Sequence, residues 1–335
     1  VAVNIAINGF GRIGRNALKI ALTKPVLNVV SVNDLTDAPT LAHLLRYDTN
    51  YGAYTEEVKV SGNNLVVGGN TIAVHAEKDP KALPWKSENI DIVLECTGRF
   101  TDPEAAKAHL EAGAQRVIIS APTKGESAAT YVLGVNAQKY NKEPIVSNAS
   151  CTTNCITPVA QVMVSEFGVK KAMMTTVHSY TADQNLQDGP HKDLRRARSA
   201  AMNIVPTTTG AASAAHQAIP ELKGVFDGLA IRVPTSVVSL ADFTFLVKGK
   251  TTVEKVNNAF KKAVDKMKRY EGILSYTEEP LVSSDFIGNP YSAIVDLSLT
   301  QVVDGDMVKV VAWYDNEWGY SNRLVEEAIL VGQSL

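Results

Sequence analysis

The strongest constraint on this chain is its opening, VNIAINGFGRIGRNALKIAL over residues 3–22. Residues 3–7 are rich in apolar β-branched side chains and read as a buried strand. Gly9, Gly11 and Gly14 follow as G-x-G-x-x-G, and Ile13, Ala17, Leu18 and Ala21 then recur at helical spacing. A second strand, NVVSVND, ends at Asp34, twenty residues after Gly14. This strand–turn–helix–strand context, rather than the glycines alone, is what a dinucleotide fingerprint requires. The glycines let the turn tighten and the backbone approach a pyrophosphate, and the helix N-terminus offers amide donors and partial positive charge. Asp34 is placed to accept from the adenosine ribose hydroxyls and to repel a 2′-phosphate. The competing reading is a glycine turn in another kind of α/β domain.

Further strands are expected at 71–75, 91–95, 117–120 and 145–147, with a helix over 103–113 that stops at a glycine. Strands alternating with helices predict a mainly parallel, Rossmann-type sheet, with ligands beyond the carboxyl ends of its strands. TGRF (97–100) and SAP (120–122) each follow a strand and are candidate cofactor-side loops. After Cys151 the texture changes. Ile156, Val159, Ala160, Met163 and Phe167 predict one amphipathic helix of about 16 residues beginning near Ser150 and ending at Gly168. Long strand-like runs follow at 171–178, 229–233, 237–247, 293–300 and 307–314 with few helices between them, which predicts an α+β half with a mixed or antiparallel sheet. The last twenty residues, from Asn316, read as a helix. The expected domains are 1–150, to which helix 316–335 returns, and 151–315. The stretch 179–199 has little apolar periodicity, and irregular stretches of that length are usually functional or disordered.

A formal net charge of −2 argues against nucleic acid or an anionic membrane as the main partner. The apolar runs are far shorter than the ~20 residues of a membrane helix. The opening VAVNIAINGFG has no basic segment or cleavage pattern and reads as a strand rather than a leader. Three cysteines in 335 residues form no disulfide framework and suit a reducing cytosol.

The stretch SNASCTTNC (147–155) sets Cys151 four residues before Cys155. No second Cys/His pair lies nearby, and the six histidines form no short-range cluster, so zinc spacing is poor and no metal is expected. If Cys151 opens a helix, unpaired amides and the helix dipole lower its thiol pKa, and its neighbours Ser150, Thr152, Thr153 and Asn154 are polar. A thiolate needs a base, and His178 ends the strand candidate AMMTTVH. The residues alone leave two readings of each, a nucleophile and its base or a structural cysteine and a satisfied histidine. A nucleotide-binding half, a mid-chain thiol and a histidine together suggest addition of the thiol to an aldehyde, hydride loss to a nicotinamide, and a thioester.

INGFGRIGR, SNASCTTNC, HSYT, HKDLRRAR, PTTTGAA, RVPT and WYDNEWGYS occur in this order and span nearly the whole chain. In this the chain resembles the phosphorylating, NAD-dependent glyceraldehyde-3-phosphate dehydrogenases. The resemblance implies that Cys151 attacks the aldehyde of D-glyceraldehyde 3-phosphate and that His178 takes the thiol proton. It implies that Thr181 and Arg232 hold the substrate phosphate, and that Ser150, Thr153, Arg196, Thr209 and Gly210 serve the attacking inorganic phosphate. For NAD, the matching positions are Gly9, Gly11, Arg12, Ile13, Gly14, Asp34, Lys78, Thr97, Ser120, Asn316 and Tyr320, with Asn316 at the carboxamide. It further implies a cytoplasmic homotetramer in which the 179–199 loop packs against a neighbour. Alternatives are an erythrose-4-phosphate dehydrogenase and a dinucleotide-binding moonlighting protein.

The chain departs from the family pattern at Lys78, where many relatives carry arginine, at Asn185 and Gly189 in the long loop, and in TSVVSLADF after Arg232. Asp34 followed by Leu35, with Pro190 in the loop, matches the NAD-preferring pattern. A strong preference for NAD over NADP is therefore expected in steady-state kinetics; comparable efficiency with NADP would contradict it.

Overall fold

The computed structural model describes residues 2–123 and 128–335. The chain forms two compact units. One contains the residues through Tyr131 together with Lys139–Ala149 and Ser321–Leu335; the other contains Val132–Gln138 and Ser150–Tyr320.

The first unit is built on a nine-stranded sheet. Its order is Ala129–Thr130, Ile145–Ser147, Arg116–Ile119, Ile92–Glu95, Val3–Asn8, Leu27–Asn33, Asn70–His75, Asn64–Val67 and Val58–Ser61. The first seven strands pair in parallel. The last two add antiparallel hairpins. These hairpins are absent from the sequence expectation, although the signal is local. The strands Asn64–Val67 and Asn70–His75 are joined by Gly68 and Gly69, with φ of +54° and +86°. A two-residue turn with both φ positive matches the twist of the strands it joins. The strand expected to end at Asp34 ends at Asn33, and the Asp34 amide donates to the His75 carbonyl.

Helices Arg12–Ala21, Ala38–Arg46 and Pro103–Glu111 belong to this unit. Asp37 and Asp102 cap the second and third by accepting from first-turn amides. The terminal helix, Trp318–Gly332, packs its end against the first strand, where Gly332 leaves room for Val3 and a Cβ would approach Val3 Cγ2 to 2.6 Å.

The second unit is built on an eight-stranded sheet. Its order is Val205–Thr207, Phe226–Val233, Val169–Ser179, Ser239–Val247, Met307–Tyr314, Ala293–Asp296 and Leu274–Thr277, with Gln301–Val303 paired to Met307–Tyr314. Val169–Ser179 runs parallel to Phe226–Val233, and Leu274–Thr277 runs parallel to Ala293–Asp296; the other pairs are antiparallel. The sheet is therefore mixed.

Two details differ from the sequence expectation. The run 293–300 is a strand only to Asp296, whose carboxylate accepts from the Ser298 amide and turns the chain into a short 3-10 helix, Leu297–Leu299. Two further helices, Ala211–Ala218 and Val253–Lys266, interrupt the strands.

The central helix, Cys151–Phe167, is capped by Ser150, whose hydroxyl accepts from the Thr153 amide, and ends at Gly168 with φ +62°. It continues through Pro158. Most of its side chains are buried, so packing outweighs one missing hydrogen bond. The loop after Ser179 has neither helix nor strand before Val205 but bonds to itself. Asn185 N donates to Arg196 O, Gly189 N to Ala197 O, and Ala200 N to Asn185 O.

One buried group in the first unit works against stability. Glu327, on the terminal helix, is 1% exposed. With its amide oriented to suit its neighbours, Asn148 donates to Glu327 Oε2 (2.9 Å), while Oε1 has no protein partner. Burial raises this carboxyl well above its ordinary range. The folded chain therefore keeps a proton that the unfolded chain releases above the usual glutamate value, so this group's contribution falls as pH rises. Glu327→Gln is expected to raise the melting temperature at pH 8 relative to the native chain, with a smaller gain at pH 5. A gain independent of pH in paired calorimetric melts would refute that assignment.

Candidate functional site

The first unit carries a crevice of about 430 Å³ at the carboxyl ends of its parallel strands, lined by residues that include Gly9, Gly11, Asp34, Lys78 and Thr97. That is where open α/β sheets bind ligands. Asp34 is held there by two amides. Its Oδ2 accepts from Phe10 N (2.9 Å) and its Oδ1 from Thr36 N (3.0 Å).

The glycines test whether a dinucleotide fits. A Cβ on Gly14 would lie 2.1 Å from Gly9 O, and one on Gly9, with φ +94°, would lie 2.7 Å from Thr97 N. These two glycines are required by the turn itself. Gly11 is different, because a Cβ there meets nothing within 4 Å. It borders open space at the mouth of a helix, where a Cβ would occupy room that a pyrophosphate needs. The residues present fit the group.

Below the crevice lies a buried polar layer that sequence reasoning missed. Glu95 Oε2 accepts from Asn8 Nδ2 (2.6 Å) and faces His109 Nε2 (2.9 Å), and Glu95 Oε1 accepts from the Thr97 amide (2.8 Å) and hydroxyl. Trp85 Nε1 donates to His109 Nδ1 (3.0 Å), which leaves the imidazole proton on Nε2, toward Glu95. Asn8 Oδ1 accepts from Asn33 Nδ2, and Asn33 exchanges hydrogen bonds with the Glu77 backbone. Asn8, Asn33, Glu77 and Thr97 all line the crevice.

Other positions expected to serve the cofactor lie outside its lining. Arg12 pairs with Asp48 (2.5 Å), Ile13 and Gly14 are in the first helical turn, and the Ser120 amide donates to Glu95 O. Asn316 and Tyr320 belong to the second unit.

In the second unit, Cys151 is the first residue of its helix and His178 lies next to the end of the strand Val169–Ser179. Cys151 Sγ is 3.5 Å from His178 Nε2. His178 Nδ1 is 2.7 Å from the Ser179 carbonyl, which can only accept, so Nδ1 carries the proton and the Nε2 lone pair faces the sulfur. Burial pushes the thiol up, opposed by the Arg232 charge and by hydrogen bonds at Thr152. The lowering expected from the helix N-terminus is thus outweighed by desolvation. Burial, then Arg232, lowers the imidazole to about 3, while its bond to Ser179 works the other way.

Arg232 Nη1 donates to Thr181 Oγ1 (3.0 Å) and to the Ser179 carbonyl (3.2 Å). Ser150 and Thr153 share a hydroxyl–hydroxyl bond (2.7 Å) at the helix start. Arg196 donates through Nε to Thr207 Oγ1 (3.0 Å), through Nη2 to the Thr208 carbonyl (3.2 Å), and is ion-paired with Asp183. Its charge acts on both His178 and Arg232. The Ala211 amide donates to Thr209 Oγ1, and Gly210 precedes the helix Ala211–Ala218.

Sequence reasoning also missed Tyr314, although it lies within the quoted stretch WYDNEWGYS. Its buried hydroxyl pairs with Thr152 Oγ1 (2.9 Å) and Thr176 Oγ1 (2.8 Å), and its ring meets His178 edge-on. Only a fold that pairs Ser239–Val247 with both Val169–Ser179 and Met307–Tyr314 brings these residues together.

Comparison with known proteins accords with this geometry. Residues 3–103 match a family model described as "Glyceraldehyde 3-phosphate dehydrogenase, NAD binding domain", and residues 150–316 match "Glyceraldehyde 3-phosphate dehydrogenase, C-terminal domain". The chain is similar to glyceraldehyde-3-phosphate dehydrogenase of Geobacillus stearothermophilus, with 56% identity over 333 residues, covering 99% of this chain and 98% of that protein. It is 54% identical over 335 residues to glyceraldehyde-3-phosphate dehydrogenase 1 of Bacillus subtilis (99% of each chain). It is 51% identical over 343 aligned positions to glyceraldehyde-3-phosphate dehydrogenase of Mycobacterium bovis (100% of each). The first unit therefore carries an NAD-binding domain, and with both domain models and full-length relatives matched, the chain belongs to the glyceraldehyde-3-phosphate dehydrogenase family.

Proposed function

We propose that the protein oxidises D-glyceraldehyde 3-phosphate to 1,3-bisphosphoglycerate, using NAD⁺ and inorganic phosphate. The observation that carries this reading is the 3.5 Å approach of Cys151 Sγ to the unprotonated Nε2 of His178, with Arg232 and Thr181 hydrogen-bonded to each other beside it. Burial opposes a lone charge on either the thiol or the imidazole. Moving the proton from Sγ to Nε2 instead creates two opposite charges at short range in a poorly solvated place, where their attraction is large. The thiolate then forms a bond to the aldehyde carbon, and His178 returns its proton to the new oxyanion to give the thiohemiacetal. His178 next removes that hydroxyl proton. Bound NAD⁺ supplies the acceptor for the hydride whose departure leaves a thioester on Cys151. Arg232 and Thr181 hold the substrate phosphate, since a guanidinium and a hydroxyl suit its oxygens. Arg196, Ser150, Thr153, Thr209 and the Gly210 amide orient inorganic phosphate, whose oxygen attacks the thioester carbon and expels the Cys151 thiolate.

We assign the chain to the cytosol as a homotetramer. Three free thiols among the described residues suit a reducing compartment. Leu186, Leu194, Met202 and Ile204 are 71–81% exposed in and just beyond the long loop, which favours burial against another copy. Among the described residues no helix is long and apolar enough to cross a membrane.

NADH formation should be sustained only with inorganic phosphate, and should stop near one equivalent per active site without it. Phosphate-independent turnover, or activity confined to erythrose 4-phosphate, would overturn the reading. His178→Ala should lower kcat by about 10²–10⁴-fold. Alkylation of Cys151 by iodoacetamide should inflect at higher pH in that variant than in the native chain, because the thiol has lost its proton acceptor. Coincident inflections would remove His178 as the base.

A further inference from the structure

Two buried serines converge on the side chain of Asn316. Ser179 Oγ donates to Asn316 Oδ1 (3.0 Å), and Ser239 Oγ donates to the same oxygen (3.0 Å). Ser239 Oγ also accepts from the Ser179 amide (3.2 Å). All three side chains are buried, Ser179 completely. The orientation of the amide follows from counting protons. Each hydroxyl proton needs an acceptor, and Asn316 Oδ1 is the one that both reach. Turning the amide over would set its NH₂ group against both hydroxyls and strand both protons. Oδ1, with two lone pairs and two donors, is therefore saturated. Nδ2 has no protein partner among the described residues, so Asn316 can offer a ligand only a donor.

The backbone holds this arrangement under strain. Val238, directly before Ser239, is buried and β-branched, with φ +70°. Such a residue rarely adopts that conformation, and strain of this kind persists where the surroundings demand it. The Ser179 carbonyl meanwhile accepts from His178 Nδ1 and Arg232 Nη1. One residue thus serves the base and the anion-binding arginine through its carbonyl oxygen and the amide through its hydroxyl.

We propose that Ser179 and Ser239 are positioning residues that make Asn316 a one-way hydrogen-bond donor, and that this donor reads the carbonyl oxygen of the cofactor's carboxamide and not its NH₂ group. The inference rests on the reading of Asn316 as the carboxamide residue of an NAD⁺ enzyme. An acetyl group in place of the carboxamide keeps the atom that is read. An amide released from the serines can turn over and present Oδ1 instead, which only a carboxamide NH₂ satisfies.

Calorimetric titration of the full chain with NAD⁺, its 3-acetylpyridine analogue and ADP-ribose tests this without turnover. In the Ser179→Ala/Ser239→Ala variant, NAD⁺ should bind about fivefold more weakly, the acetylpyridine analogue should weaken by a larger factor, and ADP-ribose should be unchanged. Cys151 alkylation at the native rate is expected as well, because the Ser179 carbonyl remains. Ser179→Thr/Ser239→Thr keeps both hydroxyls and should keep the native constants. Equal weakening of all three ligands, or a loss in the threonine pair matching that of the alanine pair, would mark a packing effect and overturn the proposal. Asn316→Ala separates the two levels of inference. If it weakens NAD⁺ while the alanine pair does not, the positioning role fails and the enzyme reading stands. If it leaves NAD⁺ binding unchanged, both the positioning role and the carboxamide assignment fail.

Discussion

The Tyr314 hydroxyl bridges Thr152 and Thr176, and that bridge sets how closely a thiol and an imidazole approach. Thr152 is in the first turn of the helix that begins at Cys151, and Thr176 lies two residues before His178 on its strand. Side chains two apart on a strand share a face, so whatever pins Thr176 also pins the imidazole. The bridge is buried, where a satisfied hydroxyl network is rigid and a broken one is costly. The 3.5 Å approach of Sγ to Nε2 is therefore a property of three elements held together, not of two adjacent side chains.

Electrostatics then divides the labour. Burial disfavours charge on the thiol and on the imidazole taken singly, and Arg232 favours the thiolate while disfavouring the imidazolium. The remaining favourable term for proton transfer is the attraction between the two charges it creates, which grows as solvent is excluded. The Ser179 carbonyl fixes the imidazole tautomer from behind, so the nitrogen facing the sulfur is the one able to accept. In the first unit hydrogen bonds alone position the groups. Glu95 collects four hydrogen bonds beneath the crevice and holds Thr97 and Asn8 before any ligand arrives.

Much of this was legible in the sequence where the cause is local. The glycine turn, the capped helix at Cys151 and the apolar strands each follow from short-range rules, and the structure has all of them. Helix Val253–Lys266 was equally legible and was missed. Val256, Ala259, Phe260 and Ala263 repeat at helical spacing behind the Thr252 cap. Helix Ala211–Ala218 is short and alanine-rich, so its period is faint. The nearness of Cys151 to His178 was not readable, because 27 residues separate them and the sheet pairing decides it. Tyr314, Ser239 and the Glu95–His109–Trp85 layer were invisible for the same reason. Each matters through a partner far along the chain, and no periodicity announces such a partner.

The central claim is that Cys151 carries the substrate as a thioester. The most direct measurement is peptide mapping by mass spectrometry of the chain quenched in acid after mixing with NAD⁺ and D-glyceraldehyde 3-phosphate in the absence of inorganic phosphate. An acyl group of the substrate's mass on the peptide containing Cys151, removed on adding phosphate, is the predicted result. Acylation of any other residue, or an unmodified Cys151 in protein that has formed an equivalent of NADH, would contradict it.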